Sequence, residues 1–253
     1  MTMNRSTFLK TMAAGAIGLA AGGALRGTRA EADGKAPVVS CFGDSTTWGA
    51  NGMASGGGNE IAWPAQLHKY MDVAKVYNFG KKGSRLAVTE DRNDSFVERL
   101  SSVLAQPADV ILLLGGVNDF QHDVPLGKPG DTDTTTVCGA METILTGLLT
   151  QFPTAQLVVM TPMKERFQHP TKNYPDSFTA NGQGLVEEDY AKAIAACAAR
   201  YSVPVIDLFN GSGISPFLEA QQKKYMPDGL HYSPEGYDRL AKRIAAGLEA
   251  IWD

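Results

Sequence analysis

The sequence predicts an α/β protein built on a parallel sheet with helices on both faces. Three observations carry this expectation. Five short apolar stretches recur along the chain, at Val38–Phe42, Lys75–Phe79, Asp109–Leu114, Gln156–Thr161 and Val205–Leu208. Most are apolar throughout, as strands covered on both faces are. Longer helix-forming segments lie between them, and helical crossovers between successive strands argue for parallel pairing. The length of 253 residues, 43% of them hydrophobic, allows one sizeable core rather than two small domains. No internal repeat, heptad array or linker interrupts the pattern.

The elements follow in order. Arg5 to Lys10 form a short basic start, and Met12 to Leu25 a small-residue apolar run too short to span a bilayer dependably. Thr28-Arg29-Ala30 and Ala30-Glu31-Ala32 offer small-x-small cleavage sites. These are the marks of a signal peptide. Residues 1–33 are therefore expected to be removed, leaving 34–253 as a single exported domain, periplasmic or secreted. General secretion and a degenerate twin-arginine signal are both compatible, since only Arg5 stands where two arginines are expected. No other segment is apolar enough to span a membrane, so no stable membrane insertion is expected after removal.

Helices are expected at Ile61–Asp72, Ser95–Leu104, Val137–Gln151, Glu187–Tyr201 and Pro234–Ala250. The last opens with Ser233 as N-cap and Pro234 at its first position. Its Leu240, Ile244 and Leu248 recur every four residues, forming the stripe of a docked helix. Three long loops, Gly49–Asn59, Gln121–Thr136 and Lys164–Gly184, leave strand C-termini. Open α/β sheets bind ligands at that edge, so these loops are expected to wall a pocket.

Charge and cysteine usage exclude several classes. The formal net charge is −4, from 23 basic and 27 acidic residues, so no basic excess points to nucleic acid. The three cysteines, Cys41, Cys138 and Cys197, show no C-x-x-C spacing, which indicates neither a disulfide framework nor a zinc cage. Cys41 reads as strand core; a Cys138–Cys197 bridge is the one pairing considered. P-loop, H-E-x-x-H and G-x-S-x-G patterns are absent.

The chemistry concentrates in four stretches. Cys41-Phe42-Gly43-Asp44-Ser45-Thr46 ends the first strand in a sharp turn and leaves Ser45 at the sheet's edge. A serine hydroxyl needs a base to take its proton. His68 falls in a helix, and His122 and His169 in loops. His231 stands in Asp228-Gly229-Leu230-His231-Tyr232-Ser233-Pro234, just before the last helix. There Asp228, three residues ahead, can reach Nδ1 of the imidazole while Nε2 faces the serine. Gly83, in Gly80-Lys81-Lys82-Gly83-Ser84, can present its N–H closely to a ligand. Asn118, in Gly115-Gly116-Val117-Asn118-Asp119, carries a side-chain amide able to donate to an oxyanion.

In this order the four stretches resemble the SGNH (GDSL) hydrolase family, from about Pro37 to Tyr237. Gly43-Asp44-Ser45, Gly83, Gly116-Val117-Asn118-Asp119 and Asp228-Gly229-Leu230-His231 match its four blocks. Thr46 stands where the motif's name has Leu. The resemblance implies a three-layer α/β/α fold with a flavodoxin-like five-stranded parallel sheet, and esterase-type hydrolysis through an acyl-serine. Ser45 would be the nucleophile, His231 the base and acid, and Asp228 the orienting carboxylate. The Ser45 N–H, the Gly83 N–H and the Asn118 side chain would form the oxyanion hole, with no metal or cofactor required. Asp44 and Asp119 read as structural, holding turns by side-chain to backbone hydrogen bonds.

The family covers several ester classes, and the motifs do not choose among them. The expected pocket residues Trp48, Arg166 and His169, with Asn51, Asn59 and Tyr174, mix aromatic faces with polar groups. That suits a sugar better than a long acyl chain, which needs a mostly apolar slot. Carbohydrate deacetylation is the leading expectation. Lipid, aryl or thioester hydrolysis and acyl transfer to a sugar are the alternatives within the family, and a glycan-binding module is the alternative outside enzymes.

Overall fold

The computed structural model describes residues 35–52 and 56–251. The expected signal peptide and its cleavage sites lie outside the described residues, as do residues 53–55 of the first long loop. Five strands form one sheet: β1 (Val38–Gly43), β2 (Lys75–Gly80), β3 (Val110–Leu114), β4 (Gln156–Met160) and β5 (Val205–Ile206). Their order is β2-β1-β3-β4-β5, every pair parallel. This is the flavodoxin-like order, with a switch point beside β1.

Alternation along the strands decides the layers. Val39 and Cys41, Val110, Leu112 and Leu114, and Val158 and Met160 face one side, where they meet Trp63, Leu240 and Ile244. Phe42, Ile111, Leu113, Leu157 and Val159 face the other, against Phe96, Ile144 and Tyr190. Both faces are apolar because both are covered, which gives the strands their continuous hydrophobic character. On the first side lie α2 (Trp63–Gln66) and α9 (Pro234–Ile251); on the second lie α3 (Phe96–Leu104), α5 (Val137–Gln151) and α6 (Glu187–Arg200). The result is a three-layer α/β/α sandwich.

The expected helices are all present, with one shortened. Where Ile61–Asp72 was expected, α2 covers only Trp63–Gln66 and passes into a 3₁₀ turn at Leu67–Lys69. Pro64 suits a helix start, but little holds the end: Tyr70 N turns back to Leu67 O and the chain must drop into β2. The fifth strand also stops early, at Ile206, because Asp207 caps α7 (Leu208–Gly211) through Asn210 N, at 3.0 Å. Short helices α1 (Ser45–Trp48), α4 (Val117–Gln121) and α8 (Glu219–Tyr225) escape a periodicity argument, since four to seven residues do not complete two turns.

Register sets the working edge. Gly43 lies level with Gly80 on β2 and with Leu114 on β3. The segments that follow β1, β2 and β3 therefore start from one rim. At that rim Arg99 of α3 adds further hydrogen bonds to the strand-end carbonyls, Gly43 O among them, which also accepts from Lys81 N at 3.1 Å. Its guanidinium donates to Phe79 O (2.8 Å), Gly43 O (3.1 Å), Asp94 O (3.0 Å) and Ser84 Oγ (2.8 Å). The ends of β1 and β2 are thus pinned together just where the serine turn begins.

The three cysteines are free and buried, so the considered Cys138–Cys197 bridge is not formed. The two thiols lie between α5 and α6 and pack as small hydrophobes.

Candidate active site

Asp44 shapes the first stretch. Its carboxylate accepts from Thr46 N at 2.9 Å and caps α1, leaving Ser45 as the first helical residue. Full burial pushes the Asp44 pKa up to about 6, against the pull of the Thr46 N–H, His231 and Arg99. Ser45 is nearly buried, at 4% exposure.

His231 and Asp228 arrive from the other end of the chain, in the turn before α9. Asp228 Oδ1 accepts from Leu230 N (3.0 Å) and His231 N (2.7 Å), folding the tight loop that the three-residue spacing requires. Asp228 Oδ2 accepts from His231 Nδ1 at 2.7 Å. His231 Nε2 lies 3.0 Å from Ser45 Oγ, within hydrogen-bond reach. Burial raises the Asp228 pKa, but the hydrogen bonds and charge of His231 outweigh it and hold the carboxyl below its ordinary value. An ionised Asp228 fixes the imidazole with hydrogen on Nδ1 and a lone pair on Nε2, the arrangement that can deprotonate a hydroxyl. Ser45, His231 and Asp228, expected together from the sequence, are joined by one line of hydrogen bonds.

Gly83 and Asn118 come to the same rim. Gly83 adopts φ 71°, a conformation that favours glycine, and an added Cβ would meet the Arg92 guanidinium at 3.0 Å. Among the described residues the Ser45 and Gly83 N–H groups have no acceptor. Asn118 is the second residue of α4. Its Nδ2 donates one hydrogen to Ser84 O at 3.1 Å, and the other is loosely held, 3.5 Å from Asp44 Oδ2. The neighbouring Asp119 takes Leu86 N (2.9 Å) and Ala87 N (3.1 Å), tying α4 to the Gly83 loop. Both aspartates act through side-chain to backbone hydrogen bonds: Asp44 holds its own turn, whereas Asp119, expected to do the same, ties two distant segments together.

The expected substrate-binding residues differ in their placement. Trp48 ends α1 half-buried, with Lys82 Nζ 3.9 Å above its ring. His169 faces Phe167 and Tyr174 edge-on at 5.5 and 5.7 Å, while its Nδ1 accepts from Thr171 N and Lys172 N. Arg166 is exposed, and its contribution is through the backbone: Arg166 N donates to Gly229 O at 2.8 Å.

Sequence reasoning did not single out Phe167. Its ring stands edge-on to His231 at 5.6 Å and stacks on Tyr174 at 5.7 Å. Tyr174 in turn meets His122 at 5.4 Å, and His122 Nδ1 bonds Asn118 O at 2.9 Å. An aromatic wall therefore runs from the Asp228–His231 loop to Asn118. Burial, with the nearby Arg85 charge, lowers the His122 pKa, as befits a neutral wall residue. The only sequence signal for Phe167 was its place in the long loop after β4. Among the described residues, no group of three or more His, Cys, Asp or Glu side chains is placed to hold a metal.

The sheet order and the residues gathered on its rim are those of the SGNH hydrolase fold, and the class is that of ester-bond hydrolases. The model of the GDSL-like lipase/acylhydrolase family matches residues 41–239, most of the chain, and the protein belongs to that family. A crystal structure 51% identical to it superposes with a TM-score of 0.82, covering 85% of this chain and 97% of the other. That of a Lactobacillus plantarum protein is 32% identical, with a TM-score of 0.71 and coverages of 85% and 97%. A carbohydrate acetylesterase from Sinorhizobium meliloti shares 20% identity, with a TM-score of 0.60 over 85% of this chain and 99% of its own. No curated protein matches.

Proposed function

We propose that this chain is a serine esterase that removes acetyl groups from a carbohydrate, working after export. The hydrogen-bonded line Ser45–His231–Asp228, opening beside the aromatic wall, is the observation that carries the reading. Ser45 Oγ attacks the ester carbonyl as His231 Nε2 takes its proton. The developing oxyanion is received by the Ser45 and Gly83 N–H groups and the loosely held hydrogen of Asn118 Nδ2. The imidazolium, held by Asp228, returns the proton to the leaving sugar hydroxyl. Water activated by His231 then cleaves the acyl-Ser45 and restores the hydroxyl.

The wall supports the proposed substrate class. Phe167, Tyr174 and His169 offer ring faces and edges beside His231, where the leaving alcohol departs, and the Lys82-capped Trp48 lies beyond Ser45. Rings interleaved with imidazole and ammonium groups suit a polyhydroxylated leaving group. The fold itself does not choose, since solved structures of the same fold include proteins described as a lipase/acylhydrolase and as a carbohydrate acetylesterase.

Acetate release from a panel of acetylated polysaccharides and monosaccharides tests the proposal, with Ser45→Ala as control. Release by the wild type alone is expected. Cleavage of long-chain esters without acetate from any glycan would refute the carbohydrate reading. Full activity in Ser45→Ala would refute the mechanism.

A further inference from the structure

A second cluster of acids lies behind the aromatic wall. Glu165, Ser177 and Glu187 are each 0% exposed. Glu165 follows β4, Ser177 lies twelve residues on in the same loop, and Glu187 is the first residue of α6. Ser177 Oγ is the hub. It receives Glu165 N at 2.6 Å, stands 2.9 Å from Glu165 O, and makes a short contact to Glu187 Oε2.

The hub has one hydroxyl hydrogen for two oxygens that would accept it, Glu165 O and Glu187 Oε2. Ser177 has one hydroxyl hydrogen, while Glu165 O can only accept. If the hydroxyl donates to Glu165 O, the contact with Glu187 Oε2 must carry a hydrogen of its own, and only a protonated Glu187 supplies one. Two carboxylate oxygens, Glu165 Oε1 and Glu187 Oε1, are buried without a partner at hydrogen-bond geometry; the Gln121 amide, itself unpartnered, faces Glu165 and favours charge there rather than on Glu187. A fully ionised pair left so would be costly. The nearest cation, Lys164, spends its ammonium on Phe209 O (2.6 Å) and Asn210 Oδ1 (3.2 Å). The other charged or titratable groups facing the pair are Asp176, Asp228 and the Tyr232 phenol, none of which favours a second negative charge. Position in the first turn of α6 favours charge on Glu187. Burial and the neighbouring Glu165 overcome this and push the Glu187 pKa well up.

The cluster governs the acid–base loop. Glu165 Oε2 accepts from Phe167 N at 2.5 Å, setting the ring that leans on His231. The flanking amides reach the loop itself: Arg166 N donates to Gly229 O (2.8 Å) and Gln168 N to Asp228 O (2.9 Å). Gly229, at φ 82°, lets this strap come close, since a Cβ there would fall 1.9 Å from Arg166 O.

We propose that Glu187 is a neutral carboxylic acid which, through Ser177 and Glu165, clamps residues 165–168 onto the Asp228–His231 loop, making Glu165 and Glu187 positioning residues for hydrolysis. Loss of that one proton removes the donor to Ser177 and slackens the strap. This rests on the serine-esterase reading for its kinetic readout, but not for its spectroscopic one.

The test uses the mature chain with Glu187→Gln, whose amide keeps a donor towards Ser177 but cannot ionise. In p-nitrophenyl acetate hydrolysis between about pH 5 and about pH 10, wild-type kcat should fall on an alkaline limb while KM changes little. Glu187→Gln should keep kcat within about threefold near neutrality and lack that limb; Glu187→Ala should lose about tenfold or more in kcat, the scale of a displaced catalytic group. Superimposable wild-type and Glu187→Gln profiles would overturn the proposal. Should the variants fold poorly, infrared spectra of the wild type decide. A carboxylic-acid carbonyl band persisting at about pH 8, above the range where ordinary carboxyls titrate, supports the neutral acid, and its absence overturns it. Inactivity of Ser45→Ala reports on the esterase mechanism alone, so failure of the two readings is told apart.

Discussion

Replacing Asp228 by Asn should nearly abolish turnover by forcing the wrong imidazole tautomer. The two oxygens of Asp228 have different duties. Oδ1 accepts two loop N–H groups, from Leu230 and His231, and Oδ2 accepts the imidazole Nδ1–H. An amide has one oxygen, and the two backbone donors hold it at the Oδ1 position. The NH₂ group then faces His231 Nδ1, which must become an acceptor, so the ring hydrogen moves to Nε2. With hydrogen on Nε2, at 3.0 Å from Ser45 Oγ, no lone pair remains to take the serine proton. Substitution of this kind in a Ser-His-Asp protease costs about 10⁴ in kcat. That is roughly 5 kcal/mol at the transition state. The assay is kcat for p-nitrophenyl acetate, with ¹⁵N NMR of the His231 ring to read the tautomer. A folded Asp228→Asn enzyme within about tenfold of wild type, or one with hydrogen still on Nδ1, would refute the reasoning.

Other outcomes follow from the same geometry. Asn118→Ala removes the one side-chain donor proposed for the oxyanion, and kcat should fall about 10²- to 10³-fold with KM little changed; a KM effect alone would assign Asn118 to ground-state binding. Leu112→Ala opens a hole in the middle strand, where the side chain is fully buried, and should cost about 2–5 kcal/mol in urea unfolding. The pH dependence of stability has a definite sign. Burial pushes Asp44 up to about 6 and Asp119 up to about 7, so the folded chain holds protons that the unfolded chain releases at about pH 4. Their contribution is complete below that pH and lost as pH rises through 6 to 7, so urea midpoints should decline across this window; a rising midpoint would contradict the assignment.

The strands and the site were legible in the sequence for different reasons. Strands buried on both faces write themselves as apolar runs, and Leu112 or Val158 could be placed from composition alone. The catalytic candidates were legible because each stretch needs a particular backbone: Asp44 to cap the serine turn, Gly83 at positive φ, and Asp228 three residues from His231. What escaped depends on contacts between distant segments. Phe167 reads as one aromatic among several until the strap is seen lying on Gly229. Glu165 and Glu187 read as ordinary surface charges, since nothing local shows that both are enclosed around Ser177. Arg99 looks like the polar face of an amphipathic helix, yet it closes the ends of two strands. The short α2 reflects the same limit, because periodicity predicts where a helix can run and tertiary constraint decides where it stops.

The distribution of the thiols gives the molecule built-in reporters of its own opening. Cys41 lies in the layer beneath α9, whereas Cys138 and Cys197 lie in the opposite layer between α5 and α6. All three are closed to solvent, so a thiol reagent can reach them only through transient exposure. Labelling rates at Cys41 and at the Cys138–Cys197 pair would therefore time the two faces of the sandwich separately. Equal rates would mean that the layers part in one cooperative event. Unequal rates would identify which face loosens first, without introducing a foreign probe into the chain.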